Sequence, residues 1–253
     1  MNILFTICGR AGSKGFKNKN LKRMRGVPLA YYTLAAIKRY ADEHPQDTAA
    51  VAVNTDSVPL EDLMREQSAI PVRFVQRKPD LAGDAVPKVD VIRDTLLACG
   101  DFSPDVVVDL DITSPVRRVQ DIENCLSEYR KGVYDLVFSV VEARRSPYFN
   151  MVESKSDGFY RMICRSAYTA RQQAPRSYEL NASIYAYRPE FLKGRMEGTI
   201  LDHRCGICVM PDYLVLDIDS EEDFTMMQYL HEYFCQVDVA LMDVYLTAKS
   251  MTK

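Results

Sequence analysis

The sequence lacks the long apolar runs and the excess of positive charge that tie proteins to membranes or to nucleic acids. No uncharged apolar stretch approaches the ~20 residues that span a bilayer, and Met1 leads into a short apolar segment without the pattern of a signal peptide. The formal net charge of -3 provides no broad basic field. We therefore expect a cytoplasmic protein that binds neither nucleic acids nor membranes.

Histidine is scarce, and the cysteines do not form the pattern of a disulfide framework. The three histidines, His44, His203 and His231, are isolated, so none is assigned as a general base. The seven cysteines are odd in number and stand mostly in apolar settings, which predicts reduced thiols. Cys205 and Cys208 form one CxxC pair, which without a second pair of ligands is a weak zinc signal.

Apolar segments of strand length alternate with segments of helical periodicity along most of the chain. Strands are predicted at residues 3–8, 49–53, 72–75, 105–111 and 135–141. This alternation is typical of parallel strands joined by right-handed helical crossovers. It predicts an α/β, Rossmann-like fold, with a mostly parallel sheet flanked by helices, as a single domain over residues 1–253.

The alternation stops at residues 142–180, which are rich in Arg, Tyr, Ser and Pro. We interpret this segment as an arm inserted into the domain. Within it, Asp157 and Gly158 form a dipeptide that is typical of hairpin turns. The composition fits a polar, aromatic interface as well as a plain exposed insertion.

The loop after the first predicted strand combines glycine with positive charge. Gly9, Gly12 and Gly15 leave the backbone N–H groups open to a ligand. The same short span also contains Arg10, Lys14, Lys17, Lys19 and Asn20. Bare amides beside cations predict a site for a polyanion, and a nucleoside triphosphate is a common small one. The loop matches neither GxxxxGK[ST] nor GxGxxG.

Two pairs of aspartates are predicted at the ends of strands. Asp217 and Asp219 are two residues apart on a predicted strand, so both carboxylates point the same way, at a spacing suited to a divalent cation. Helix capping is the alternative role and accounts for one of the two. Asp109 and Asp111 share a face for the same reason, and the alternative role of Asp111 is to cap the turn that follows.

Five motifs, in this order, resemble those of the cytidylyltransferases that activate nine-carbon 2-keto sugar acids, the CMP-sialate synthetase family. The first is the loop with Arg10, Ser13, Lys14, Gly15, Lys19 and Asn20, and the second is an RPxxLAxD-like loop with Arg77, Leu81, Ala82 and Asp84. The third is a QPTSPLR-like turn with Thr113, Ser114, Pro115 and Arg117. The fourth and fifth are the RQxxPxxYxxNGAIY-like residues 171–187 and the DxDxxxDF motif at residues 217–224. The combination in the first loop is more specific than its glycines alone, and the matches extend over most of the chain.

The resemblance implies a magnesium-dependent transfer of CMP from CTP to a nonulosonic acid, with release of pyrophosphate. Arg10 and Lys14 would be the catalytic cations, Asp217 and Asp219 would bind Mg²⁺, and the inserted arm would hold a homodimer together. The implied nucleotide-binding residues are Arg10, Gly12, Ser13, Lys14, Lys19, Asn20, Arg77 and Asp84. The implied substrate-binding residues are Asp111, Thr113, Ser114, Arg171, Gln172 and Asn181.

Two residues depart from the family pattern. Asp111 stands where sialate synthetases carry Gln, which favours a legionaminate-type acid over N-acetylneuraminate, and Ala182 stands where Gly is usual. Two other classes remain open. A DxD-type, sugar-nucleotide-dependent glycosyltransferase would lack the first loop, whereas a non-catalytic nucleotide-binding homologue is supported by the two departures. CTP consumption with a panel of 2-keto acids distinguishes the three.

Overall fold

The structure of the protein is a computed structural model that describes residues 1–12, 15–194, 196–214 and 217–252. Its strands are β1 (Asn2–Gly9), β2 (Arg23–Met24), β3 (Val27–Pro28), β4 (Thr48–Thr55), β5 (Arg73–Gln76), β6 (Val106–Leu110), β7 (Leu136–Glu142), β8 (Val152–Ser154), β9 (Tyr160–Met162), β10 (Tyr178–Tyr187) and β11 (Cys205–Val209). Its α-helices are α1 (Leu29–Glu43), α2 (Val58–Arg65), α3 (Lys88–Ala98), α4 (Val119–Tyr129), α5 (Pro189–Lys193), α6 (Glu221–Val237) and α7 (Val239–Ser250).

Seven of these strands form one sheet in the order β11-β7-β10-β6-β1-β4-β5. Strand β1 is parallel to β4 and β6, β4 to β5, and β7 to β11, whereas β10 runs antiparallel to both β6 and β7. The predicted α/β fold with a mostly parallel sheet is confirmed. The strand order reverses at β1, with β4 on one side and β6 on the other, and such a switch point leaves a crevice at the carboxyl ends of the strands.

Helices cover both faces of the sheet because successive side chains of a strand point to opposite faces. In β1, Ile3, Phe5 and Ile7 are buried in a cluster with residues of α1, α4 and α7. Leu4 is buried on the opposite face with residues of α3 and α5. The loop after β1 therefore starts from a strand that is anchored on both faces.

The inserted arm leaves the sheet after β7 and returns along β10. Within it, β8 and β9 pair antiparallel, and Gly158 has a φ of 81°, which confirms the hairpin turn at Asp157 and Gly158. Large apolar side chains of this hairpin lie in solvent: Val152 is 61%, Phe159 67% and Tyr160 72% exposed. The hairpin therefore does not bury these apolar side chains against the rest of the same chain.

The last third of the chain differs from the sequence analysis in two ways. The CxxC pair lies on β11, a strand that was not predicted, and both Cys205 and Cys208 are free thiols. The prediction of a strand at Asp217 and Asp219 is wrong, because both residues lie in irregular backbone. The N–H of Ile218, between them, donates to the main-chain oxygen of Thr113 (3.0 Å) and so holds the segment against the turn after β6.

Candidate nucleotide-binding site

A cleft of about 510 Å³ opens beside β1, at the carboxyl ends of the parallel strands. Its walls come from the loop after β1, the loop between β5 and α3, the turn after β6 and the segment that precedes α6. The predicted site residues that line it are Arg10, Lys19, Asn20, Arg77, Asp84, Asp111, Thr113, Asp217 and Asp219. Four of the five motifs therefore meet in one cleft.

The loop after β1 approaches the segment of Asp217 and Asp219 closely. An added Cβ at Gly15 would lie 2.9 Å from the main-chain oxygen of Asp219, so a larger residue would displace that backbone. Gly12, with a φ of 71°, adopts a conformation that glycine tolerates best, and it lines an adjoining pocket instead of the cleft itself. Ser13 and Lys14 lie outside the described residues, so their roles stay predictions.

Lys19 connects the cationic loop to the acidic segment. Its Nζ donates to the main-chain oxygen of Ile218 (2.8 Å) and to Asp219 Oδ1 (2.9 Å). Asn20 is nearly buried and donates from Nδ2 to the main-chain oxygen of Arg10 (3.3 Å), which fixes the start of the loop relative to its end. Opposite charges from the two ends of the chain therefore converge on the cleft.

Asp217 and Asp219, the predicted magnesium ligands, both line the cleft. Burial and the nearby carboxylates of Asp111 and Asp219 raise the pKa of Asp217, and a bound cation relieves this kind of repulsion. Magnesium prefers such oxygen donors and completes its shell with phosphate oxygens and water. Within the described ranges, no group of three or more His, Cys, Asp or Glu side chains could hold a metal ion.

Lys88, the first residue of α3, forms ion pairs with the two aspartates at the end of β6. Its Nζ lies 2.7 Å from Asp109 Oδ2 and 2.5 Å from Asp111 Oδ2. Asp111 Oδ1 accepts from the N–H and the hydroxyl of Thr113, each at 2.9 Å. Burial alone would raise the pKa of Asp111, but Lys88 and the Thr113 hydrogen bonds lower it to about 2. Asp111 is therefore ionised, and it fixes both Lys88 and the turn.

Two arginines line the cleft: Arg10, in the loop after β1, and Arg77, in the loop between β5 and α3. Arg10 forms an ion pair with Asp84 and so joins this loop to the loop after β1. Arg77 is buried, and its guanidinium donates to the side-chain and main-chain oxygens of Asn54, each at 3.0 Å. Both arginines line the cleft, so positive charge is fixed on two of its walls.

Two predicted substrate-binding residues point into the protein instead of the cleft. Ser114 is buried and donates to the main-chain oxygen of Asn181 (3.0 Å). Asn181 is 1% exposed, and its Oδ1 accepts from the Ser139 hydroxyl (2.6 Å). In this structure, Ser114 and Asn181 connect the turn after β6 to β10, and neither side chain is accessible from the cleft.

Arg117 is the buried centre of this turn. Its guanidinium donates to the main-chain oxygens of Asp111 and Ser114, each at 2.5 Å, and to Ser183 Oγ at 3.0 Å. The side chain is fully buried, and this burial lowers the pKa of Arg117 to about 10. Arg117 therefore positions the turn that carries Asp111 and Thr113 without reaching the cleft.

The other predicted substrate-binding residues lie at a second location. Arg171 and Gln172 line a separate pocket of about 330 Å³ at the base of the arm, together with Arg145 and Arg176. Arg171 donates to the main-chain oxygen of Ala143 (2.7 Å). Within one chain, the structure does not bring Arg171 or Gln172 to the nucleotide cleft.

The sequence analysis missed Lys88 and gave Arg117 no role. A lysine in the first turn of a helix is ordinarily solvated, and nothing in the spacing of α3 indicates that its first residue reaches a cleft. The available signal was chemical: Asp109 and Asp111, at the end of a buried strand, require a cation nearby. Lys88 immediately precedes the helical stripe that packs on this part of the sheet.

A protein-family model described as Cytidylyltransferase matches residues 4–197. The match includes the loop after β1, the β5–α3 loop, the turn after β6 and the inserted arm. The chain therefore belongs to the cytidylyltransferase family and is a nucleotidyltransferase, as the sequence predicted.

Several known proteins are similar to this chain. CMP-N,N'-diacetyllegionaminic acid synthase of Campylobacter jejuni is 32% identical over 232 residues, which are 90% of this chain and 94% of that protein. Post-translational flagellin modification protein B of Campylobacter coli is 31% identical over 231 residues, with the same coverage of both chains. An N-acylneuraminate cytidylyltransferase of Streptococcus agalactiae is 25% identical over 225 residues, which are 88% of this chain and 52% of that protein.

A solved structure has the same fold. The CMP:2-keto-3-deoxy-manno-octonic acid synthetase complexed with CTP is similar to this chain with a TM-score of 0.65 at 16% identity. The similarity covers 92% of this chain and 100% of that one. It supports the predicted nucleotidyltransferase type of fold.

Proposed function

We propose that this protein transfers CMP from CTP to a nonulosonic acid, giving the CMP-sugar and pyrophosphate, with Mg²⁺ as cofactor. The observation that carries the proposal is the convergence of the cationic loop on Asp219, through Lys19, in one cleft. A triphosphate needs amides and cations along its oxygens and carboxylates that hold a metal. Cations of the first loop, Arg10 and Lys19, and the carboxylates of Asp217 and Asp219 line this cleft. The names of the relatives support CTP and a nonulosonic acid as the substrates.

In the proposed mechanism, the residues of the chain bind and orient the two substrates. Arg10 and Lys19 bind phosphate oxygens, while Arg77 and Asp84 line the wall for the base and ribose. Asp217 and Asp219 would hold Mg²⁺, which would neutralise phosphate charge and lower the pKa of the attacking hydroxyl. Placing that hydroxyl in line with the α-phosphorus lets pyrophosphate leave on the opposite side. Among the described residues no histidine lines the cleft, so no general base is assigned.

The proposed acid is of the legionaminic type, with sialic acid as the alternative. The 32% identical relative is named for a legionaminic acid, and Asp111 stands where sialate synthetases carry Gln. Asp111 is an ionised acceptor paired with Lys88, whereas Gln would offer a neutral amide with two donors. The chemistry of this wall therefore differs from that expected for a sialate site.

A homodimer held by the inserted arm is part of the proposal. The hairpin exposes Val152, Phe159 and Tyr160, and covering them with a second copy would remove apolar surface from water. Because Arg171 and Gln172 lie away from the cleft of their own chain, their predicted contact with the acid requires the cleft of the partner. Dilution during analytical ultracentrifugation tests the dimer, and replacement of Phe159 and Tyr160 by Ser is expected to weaken it.

We also propose that the protein works in the cytoplasm, where CTP is formed. Within the described ranges, every helix is too short or too polar to cross a membrane. The net charge of -3 gives no reason to expect a nucleic acid as partner. Cell fractionation checks the location.

Pyrophosphate release from each of the four ribonucleoside triphosphates, with a panel of 2-keto acids, tests the function. We expect release that requires CTP, a nonulosonic acid and Mg²⁺ together, with legionaminate-type acids preferred to N-acetylneuraminate. Consumption of a sugar nucleotide instead would contradict the proposal and favour the glycosyltransferase class. CTP binding without turnover of any acid would favour the non-catalytic class.

A further inference from the structure

Lys88 places a charged ammonium in the wall of the cleft. Its side chain is 34% exposed, and it lines the cleft together with Cys8, at the end of β1, and Thr113, in the turn after β6. The first of these segments leads into the cationic loop, and the second holds the backbone of Ile218 beside Asp217 and Asp219. Lys88 therefore lines the same cleft as Lys19 of the cationic loop and the acidic pair Asp217 and Asp219.

The two aspartates that face Lys88 are already bonded within the protein. Asp109 is fully buried, and its Oδ1 accepts from the Thr6 hydroxyl (2.8 Å). Asp111 Oδ1 accepts twice from Thr113, and the Oδ2 atoms of both aspartates face Lys88. Lys88 Nζ faces one oxygen of each aspartate, and an ammonium carries three N–H donors. One N–H of Lys88 is therefore left for a further acceptor in the cleft.

We infer that Lys88 binds an anionic oxygen of the substrates, either a phosphate oxygen of the nucleotide or the carboxylate of the acid, and that Asp109 and Asp111 position its ammonium. The inference rests on the proposed function and deepens it, because it reassigns Asp111 from a direct substrate contact to a positioning residue.

A purely structural role is the competing explanation. Asp109 is buried and needs a positive partner, and Lys88 would satisfy that need even if it never touched a substrate. The two explanations differ in one respect. A structural lysine affects folding, and a substrate-binding lysine affects the dissociation constant of CTP or the KM of the acid at unchanged folding.

The experiment compares Lys88→Met, Lys88→Arg and the double variant Lys88→Met with Asp109→Asn, which removes the buried charge that Lys88→Met leaves unpaired. Lys78→Met is the matched control, because Lys78 is paired with Asp94 and does not belong to the cleft lining. The dissociation constant of CTP is measured by calorimetry without acid, and the KM of the acid is measured at saturating CTP. Thermal unfolding of each variant reports its folding.

We expect the double variant to fold and to lose substrate affinity by about 10- to 100-fold, as loss of a hydrogen bond to a charged group implies. A weaker CTP complex identifies the phosphate as the anion, and an unchanged CTP complex with a raised KM identifies the acid's carboxylate. Lys88→Arg, which keeps the charge, should retain most of the affinity, and Lys78→Met should resemble the wild type.

The inference is overturned if the double variant folds and binds both substrates like the wild type. It is equally overturned if Lys78→Met loses as much affinity as the Lys88 variants, because the effect would then be one of net charge. A wild-type protein that binds CTP but turns over no acid would remove the proposed function, whereas the calorimetric comparison would still decide whether Lys88 binds phosphate.

Discussion

The nucleotide cleft and the pocket at the base of the arm both hold several cations, but the two regions fix them differently. In the cleft, Lys19 and Lys88 are paired with carboxylates of the same chain, and Arg77 is buried against Asn54. In the arm pocket, Arg171 donates to a main-chain oxygen, and the nearby hairpin exposes large apolar side chains. The cleft is therefore organised within one chain, whereas the arm exposes groups suited to contact with something else.

This difference indicates that the two regions have different roles. Electrostatic stabilisation is effective when charges are held in place before the reaction, and the cleft meets that condition. The arginines of the arm pocket lie away from the cleft of the same chain, so they do not contribute to stabilisation in that cleft. Changes in the cleft should therefore alter chemistry and CTP binding, and changes in the arm should alter assembly and binding of the acid.

The largest expected effect is in the acidic pair of the cleft. Replacing Asp217 and Asp219 by Asn removes the charge that would hold Mg²⁺, so pyrophosphate release should fall on the order of 10³-fold or more. Binding of Mn²⁺ in the presence of CTP, followed by electron paramagnetic resonance, should be lost as well. Asp101→Asn, at an exposed ion pair with Arg73 outside the cleft lining, is the control and should leave both unchanged. An active double variant would remove the metal assignment.

Arg117 should show the next largest effect, on stability. Arg117→Met leaves several buried oxygens of the turn after β6 without a donor, so the free energy of unfolding should fall by about 3 kcal/mol. Arg144→Met, at the root of the arm, removes an exposed arginine and should change stability by less than about 0.5 kcal/mol. Urea unfolding measures both. Equal small losses would mean that the turn is held without Arg117.

The acid dependence of stability tests the pairing of Asp111. Its folded pKa is about 2, against an ordinary value of 3.8, so its contribution is present above about pH 4 and is lost as the pH falls through the folded value. The difference in unfolding free energy between wild type and Asp111→Asn should therefore shrink by about 2 kcal/mol between about pH 5 and pH 2. A difference that does not change with pH would show that Asp111 is not stabilised as an anion.

The smallest expected effect lies on β10, the strand that joins the arm to the frame of the cleft. Ala182 has a φ of 53° at a register shift of this strand, and a left-handed Ala costs about 1 kcal/mol that Gly avoids. Ala182→Gly should therefore raise the unfolding free energy by up to about 1 kcal/mol. Ala186→Gly, in regular strand, should lower it. Destabilisation by both changes would contradict this account of the departure at Ala182.

Much of the fold could be predicted from the sequence because the patterns that indicate its strands and turns involve residues close together along the chain. The run from Ile3 to Ile7 is apolar at every buried position except Thr6, and the Asp157 and Gly158 turn has its own backbone requirement. By contrast, β11 is short, and its pairing with β7 depends on where the chain returns after α5. Asp217 and Asp219 belong to a stretch that is predicted as a strand, but Thr113, about a hundred residues earlier, holds the segment in irregular backbone through Ile218.

The site was predictable only to the extent that its residues form motifs. The loop after β1, Asp84 and Asp217 were found because each sits in a patterned stretch, and four such stretches do meet in the cleft. The pairing of Lys88 with Asp109 and Asp111 joins a helix to the following strand, and no spacing rule records it. Asn181 matched a motif as well, but it is buried and accepts from Ser139 on β7, a contact between distant residues that the motif does not contain.

The most direct test of the central claim is a crystal structure with CTP and Mn²⁺, using the anomalous signal of manganese. We expect the triphosphate against the loop after β1, near Lys19, and an anomalous peak beside Asp217 and Asp219 that contacts phosphate oxygens. A triphosphate bound at another place, or a manganese peak away from both aspartates, would contradict the account.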